Sequence, residues 1–265
     1  MSLSAPPFFT RYGFTRTGDA EAPLEITPYA EVCANGALRA TVVASAIDLV
    51  GGFATREIAG ADATFTSDLS LRIPAPGIPA RLFARAEPLR AGKRLVTTGV
   101  RLETGDGTYA YGETTFARIA RHDPAPDVRT LATPETIPFH PLARPLDEEV
   151  GIETLGPGSV RLALHANLLN PESVLQGALV ALVSECSALS LAEPARDRPQ
   201  HVTELDLRYL SAASAGPVDG RARWIGNPET GMIRVELRDR GRGEGLTSTA
   251  LVRVADAPAV RAGVS

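Results

Sequence analysis

Two acidic residues stand where acids are rarely found: Asp48 inside the apolar run Ala37–Ala54, and Glu185 inside Val174–Ala192. A carboxylate in the middle of an apolar helix is seldom buried without a reason. Held against a reacting group, such a carboxylate can act as a general base, worth roughly 10²–10⁴-fold in rate. The plain alternative is a solvated or salt-bridged position on a helix. A basic cluster, Arg90, Lys93 and Arg94 around Gly92, has the charge to hold phosphates, or is simply a solvated hairpin turn. Other chemistries lack their residues. His122, His140, His165 and His201 fall outside the helical runs, and no His-Glu-x-x-His or paired-cysteine motif suggests a metal site. A Gly-x-Ser-x-Gly elbow is also missing. Cys186, beside Glu185, reads as a small core residue rather than a nucleophile. With Cys33 it makes only two cysteines, too few for a disulfide framework, and both are expected to be reduced in a cytoplasmic protein.

These residues sit in a chain of 265 that is 44% apolar and 22% charged, an ordinary composition for an ordered globular protein. The net charge of -4 supplies no basic field for nucleic acid. No apolar run reaches the roughly 18 residues that span a bilayer, and Met1 to Phe9 lacks the layout of a secretory signal, so neither partner is expected.

The elements that must position the acids occur twice. Leu69, Leu71 and Arg72 fall on Leu205, Leu207 and Arg208 at an offset of 136. Asp48 falls on Glu185 at 137, and Ile119 on Val254 at 135. A nearly constant offset along the chain indicates two diverged copies of one domain. The expected boundaries are 1–121 and 149–265, joined by a proline-rich connector, 122–148, that reads as extended surface chain; a folded insertion is the alternative. Each copy reads as a strand, a turn, one long helix apolar on most sides, then three or four strands. In the first copy the later strands are expected at 66–73, 78–89, 95–102 and 109–119. Such a helix must be buried on most sides, which an antiparallel sheet curved around it achieves, so the fold class is α+β.

In this order of elements, and in two local motifs, the sequence resembles the hot-dog fold acyl-CoA thioesterases in their tandem, double-hot-dog form. The resemblance covers about Gly13 to Val254. Helices of that family usually open with His-Gly-Gly and carry an acid nine positions after the His. Here Gln176-Gly177-Ala178 is followed by Glu185, and Arg39-Ala40-Thr41 by Asp48. Asn170 matches an Asn often found six residues before that His. Thr66, Leu69 and Pro74 match the strand that follows the helix, and Arg90-Ala91-Gly92-Lys93-Arg94 matches a basic turn. Neither copy keeps the full His-Gly-Gly.

The resemblance implies composite sites, each taking its acid from one copy and its helix N-terminus from the other. Asp48 would then act with Asn170, Gln176 and Gly177, and Glu185 with Arg39 and Ala40. The first site is preferred, because Arg39 brings bulk and charge to the second. The implied activity is hydrolysis of an acyl-CoA, with Asp48 activating water, the Gly177 amide receiving the oxyanion, and Thr66, Arg90, Lys93 and Arg94 binding substrate. No metal or redox cofactor is implied, coenzyme A being part of the substrate. A non-catalytic acyl-CoA or hydrophobic-ligand binding module is the alternative. A hydratase would want a His in the site. Self-association into a homo-oligomer is also expected.

Overall fold

In the computed structural model, residues 8–60, 62–120, 139–170 and 172–258 are described. Two helices of 20 residues, α1 (Ala40–Ala59) and α3 (Gly177–Arg196), form the centre, with the short α2 (Leu146–Val150) between them. Strands β1 (Phe14–Arg16) and β2 (Leu24–Ile26) precede α1, as do the paired β3 (Cys33–Ala34) and β4 (Ala37–Leu38). β5 (Ala63–Arg72), β6 (Leu82–Ala91), β7 (Leu95–Thr104) and β8 (Gly107–Ile119) follow it. The second half repeats the order: β9 (Ile152–Gly156) and β10 (Ser159–Leu162), then α3. After α3 come β11 (Gln200–Tyr209), β12 (Val218–Trp224), β13 (Met232–Asp239) and β14 (Gly245–Asp256).

Both long helices begin three residues later than the apolar runs suggest. The first residues of each run are used as extended chain instead: Ala37–Leu38 pairs with Cys33–Ala34, and Leu175 bridges Leu169. Of the expected connector, residues 122–138 lie outside the described residues. Its end differs from extended surface chain, because 146–148 open α2 and Leu146 is fully buried.

Twelve strands form one antiparallel sheet in the order β1-β2-β6-β7-β8-β5-β11-β14-β13-β12-β10-β9. The halves join where β5 pairs with β11, and Ser70 faces Asp206. Those residues stand at the offset of 136, so the two halves meet through strands at matching places in their element order. Leu69 faces Leu207 and Leu71 faces Leu205, all buried, while on the other face Arg72 pairs with Asp206 and Arg208 with Asp68. Those exposed ion pairs add little, on the order of 0.2–1 kcal/mol each. The leucines carry the junction.

α1 packs on β5–β8, α3 on β10–β14, and the two helices on each other. α3 is long and apolar enough to cross a bilayer by length and composition, unlike the short runs read from sequence. Its apolar surface is instead largely spent in the core, where Leu179, Leu182, Val183 and Ala188 are buried.

Gly51 and Gly52 lie together inside α1, where each glycine costs roughly 0.5–1 kcal/mol relative to alanine. Gly51 is required: a Cβ there would collide with the Thr114 methyl and lie 2.6 Å from the Thr98 hydroxyl. Gly52 is not, since its Cβ would meet only Phe116, at 3.7 Å. We expect Gly51→Ala to destabilise the protein by about 1–3 kcal/mol. Gly52→Ala should stabilise it by up to about 1 kcal/mol. Urea unfolding of both variants checks the opposite signs.

Candidate active site

The N-terminus of each long helix meets the middle of the other, so the two run antiparallel. This places Asp48, the ninth residue of α1, against the first turn of α3, and Glu185, the ninth of α3, against the first turn of α1. The first N–H groups of a helix have no partner within it and carry the positive end of its dipole. Both acids therefore face the most anion-attracting part of the opposite helix.

At α3 the amides are open. Among the described residues, neither the Gly177 nor the Ala178 N–H has a hydrogen-bond partner. Asp48 stops short of them: its Oδ1 accepts from the Thr66 hydroxyl at 2.7 Å, and its Oδ2 lies 3.7 Å from where a Cβ on Gly177 would stand. Burial raises the Asp48 pKa above its ordinary value, and the Thr66 hydrogen bond lowers it less. The Tyr209 hydroxyl donates to the Gly177 carbonyl at 3.3 Å. Burial, then the Asp48 charge, pushes its pKa well up, so it stays a phenol. Gln176 occupies the N-cap position but does not cap. Its Nε2 donates to the Asn167 and Leu169 carbonyls, and its buried Oε1 has no partner. Asn170 instead closes the preceding turn, its Oδ1 accepting from the Glu172 and Val174 amides. Two lobes meet at Asp48 and Gly177. One, of about 300 Å³, runs past Leu49, Gly52, Phe53 and Phe116; the other, of about 430 Å³, opens past Phe65, Val180 and Leu210.

At α1 the equivalent amides are taken. Glu185, 2% exposed, accepts from the Ala40 N–H at 3.3 Å, the Thr41 N–H at 2.9 Å and the Thr41 hydroxyl at 2.6 Å. Glu185 itself closes this position. Arg39 is buried beside this carboxylate. Burial works to lower its pKa, but the Glu185 charge raises it, and its guanidinium also pairs with Asp147. The Tyr12 hydroxyl is buried nearby without a partner, its pKa raised by burial and then by the Glu185 charge.

The cleft thus brings together Asp48, Thr66, Asn170, Gln176 and Gly177. It does not include Arg90, Lys93 or Arg94, which are exposed on the β6–β7 hairpin and line neither lobe. The cation that lines both lobes is Arg56, exposed, without an ion pair among the described residues. It was legible in principle, since 48, 52 and 56 share a helical face. Tyr209 carries no such signal, because its place depends on the β5–β11 seam. No histidine lines either lobe, and no cluster of metal-ligating side chains occurs among the described residues.

No family model matches the sequence, and no curated protein matches it. Solved structures do match the fold. An acyl-ACP thioesterase from Bacteroides thetaiotaomicron is 12% identical with a TM-score of 0.56, over 87% of this chain and 96% of its own. An acyl-CoA thioesterase II from Mycobacterium marinum is 14% identical with a TM-score of 0.57, over 89% and 93%. A protein from Alicyclobacillus acidocaldarius, described as having the hot-dog fold, is 14% identical with a TM-score of 0.56, over 97% and 100%. The fold is the hot dog of these thioesterases. Likeness at this identity speaks for the fold, so the chemistry of this hot-dog protein rests on its own cleft.

The two acids should affect stability in opposite senses. Glu185→Ala leaves three buried donors without a partner. It should cost on the order of 3 kcal/mol, about 10 °C in Tm. Asp48 has a raised folded pKa, so ionising it costs more in the folded chain than in the unfolded one. Stability therefore falls as pH rises from the ordinary aspartate pKa through the folded one. Asp48→Asn, which can still accept from Thr66, should melt above wild type at pH 7 and at the same temperature near pH 3. Thermal melts at the two pH values check both.

Proposed function

We propose that the chain is a tandem pair of hot dogs that hydrolyses an acyl-CoA thioester at the Asp48–Gly177 cleft. One observation carries the reading: a carboxylate with a raised pKa faces two unpaired helix amides across a cleft lined by both polar and apolar side chains. Hydrolysis needs those two parts, a base for water and donors where the carbonyl oxygen gains charge.

Water held at Oδ2 gives its proton to Asp48 and attacks the thioester carbon. The developing oxyanion meets the Gly177 and Ala178 N–H groups, each such donor being worth on the order of 10²–10³ in rate. The α3 dipole reinforces them. Collapse breaks the C–S bond, coenzyme A leaves as thiolate, and the proton on Asp48 returns to the products. The balance is acyl-CoA plus water to free acid plus thiol. Thr66 fixes the carboxylate so that one oxygen is spent and the other faces the reaction. Gly177 keeps the approach to its own amide open, which a side chain would narrow toward Asp48 and Tyr209. The absence of histidine from both lobes gives a hydratase reading no support.

Thiol titration of coenzyme A release from an acyl-CoA panel tests the proposal, with acyl carrier protein thioesters as a second carrier. Wild type should turn over, and Asp48→Asn should lose at least about 100-fold while still binding. The acid limb of kcat/KM should lie above the ordinary aspartate pKa, with rate rising as Asp48 deprotonates. Binding without release by wild type would make the chain a ligand-binding module. Retention of more than about a tenth of the rate in Asp48→Asn would remove Asp48 as base.

A further inference from the structure

The lobe that passes Leu49 and Gly52 ends on the ring of Phe53. The same ring also lines a second cavity, of about 370 Å³ beside β1 and β6, walled by Val50, Ala54 and Pro88 together with the charged Arg16, Asp19 and Glu57. Phe53 lines both spaces. Its ring is held from above by Arg16 of β1, whose guanidinium carbon stands 4.9 Å from the ring centroid. That distance is within the range of a cation–π contact. Two spaces, each lined by polar and apolar groups, therefore lie against different sides of α1 and share one aromatic side chain that has its own anchor.

The open lobe also has a feature that packing does not demand. Gly52 has room for a Cβ and sits in a helix interior, where alanine would be favoured. Its missing side chain is part of the lobe. The other lobe opens past Phe65 and Leu210, 42% and 57% exposed, with Glu172, Ser211 and Ser248 in its wall. At about 430 Å³ against about 300 Å³ it is the roomier of the two, which suits the bulky thiol carrier and leaves the Leu49–Phe53 lobe for the acyl chain.

We infer that Phe53 sets the upper limit on acyl-chain length, closing the acyl lobe and dividing it from the second cavity. This rests on reading the cleft as an acyl-thioester site. At about 30 Å³ for a group the size of a water molecule, the lobe holds roughly ten such groups, thioester included. Chains beyond about eight carbons would have to displace the ring and its Arg16 contact. Without the ring the two spaces join.

The test is calorimetric titration of S-alkyl coenzyme A thioethers, from two to sixteen carbons, into wild type, Phe53→Ala and Gly52→Leu, each checked for folding by its melt. A thioether cannot be hydrolysed, so binding is read apart from turnover. Wild-type affinity should rise about fourfold per methylene and stop rising near eight carbons. Phe53→Ala should move the break at least four carbons longer, and Gly52→Leu should move it shorter. A break at the same length in wild type and both variants, or continuous gain to sixteen carbons in wild type, overturns the inference. Shifted breaks without coenzyme A release from the matching thioesters would uphold Phe53 and overturn only hydrolysis. Release with unshifted breaks would do the reverse. No binding of any thioether overturns both.

Discussion

A helix buried in a protein interior brings its first amides with it, and something must meet them. In this chain each long helix points its N-terminus at an acid in the middle of the other, and the two meetings end differently. Glu185 is one methylene longer than Asp48 and reaches the Ala40 and Thr41 amides directly. Asp48, shorter and drawn aside by Thr66, leaves the Gly177 and Ala178 amides unmet. One pair of amides is satisfied within the fold; the other has no partner among the described residues.

The rest of the site follows from that difference. Leaving the acid unpaired with the amides keeps it in a poorly solvated place with a raised pKa, which costs stability and suits a base. Closing the other end gives some of that stability back, because Glu185 ties α3 to the start of α1. A single chain can divide these roles, because the two helix ends need not carry the same residues. The helix that opens the site keeps glycine where it begins, whereas the closed end has Ala40 and a Thr41 hydroxyl that donates to Glu185.

Much of this was legible in the residues. The offset of 136 read from the residues is also the separation of Ser70 and Asp206 where β5 meets β11, although that junction itself was not legible. Alternation and length marked the later strands, with ends within a few residues. The mid-helix acids drew attention because apolar helices seldom carry them. Helix starts were misplaced, because Ala37–Leu38 and Leu175 are as apolar as the helix that follows and only their pairing partners reveal extended chain. Arg39 does stand beside Glu185, but sequence gives no sign that Asp147 arrives from α2 to share its charge. The basic hairpin at Arg90 has suitable residues in an unsuitable place, for distance from a cleft is set by the sheet and not by spacing. Tyr209 reaches the site only through the β5–β11 junction, a contact between residues far apart in the chain.

The central claim is that the two equivalent helix ends are not equivalent as binding sites. Binding stoichiometry tests it most directly. Titration of an octyl coenzyme A thioether into wild type should give one site per chain, lost in Gly177→Val. Two sites per chain, or one site that survives Gly177→Val, would contradict it.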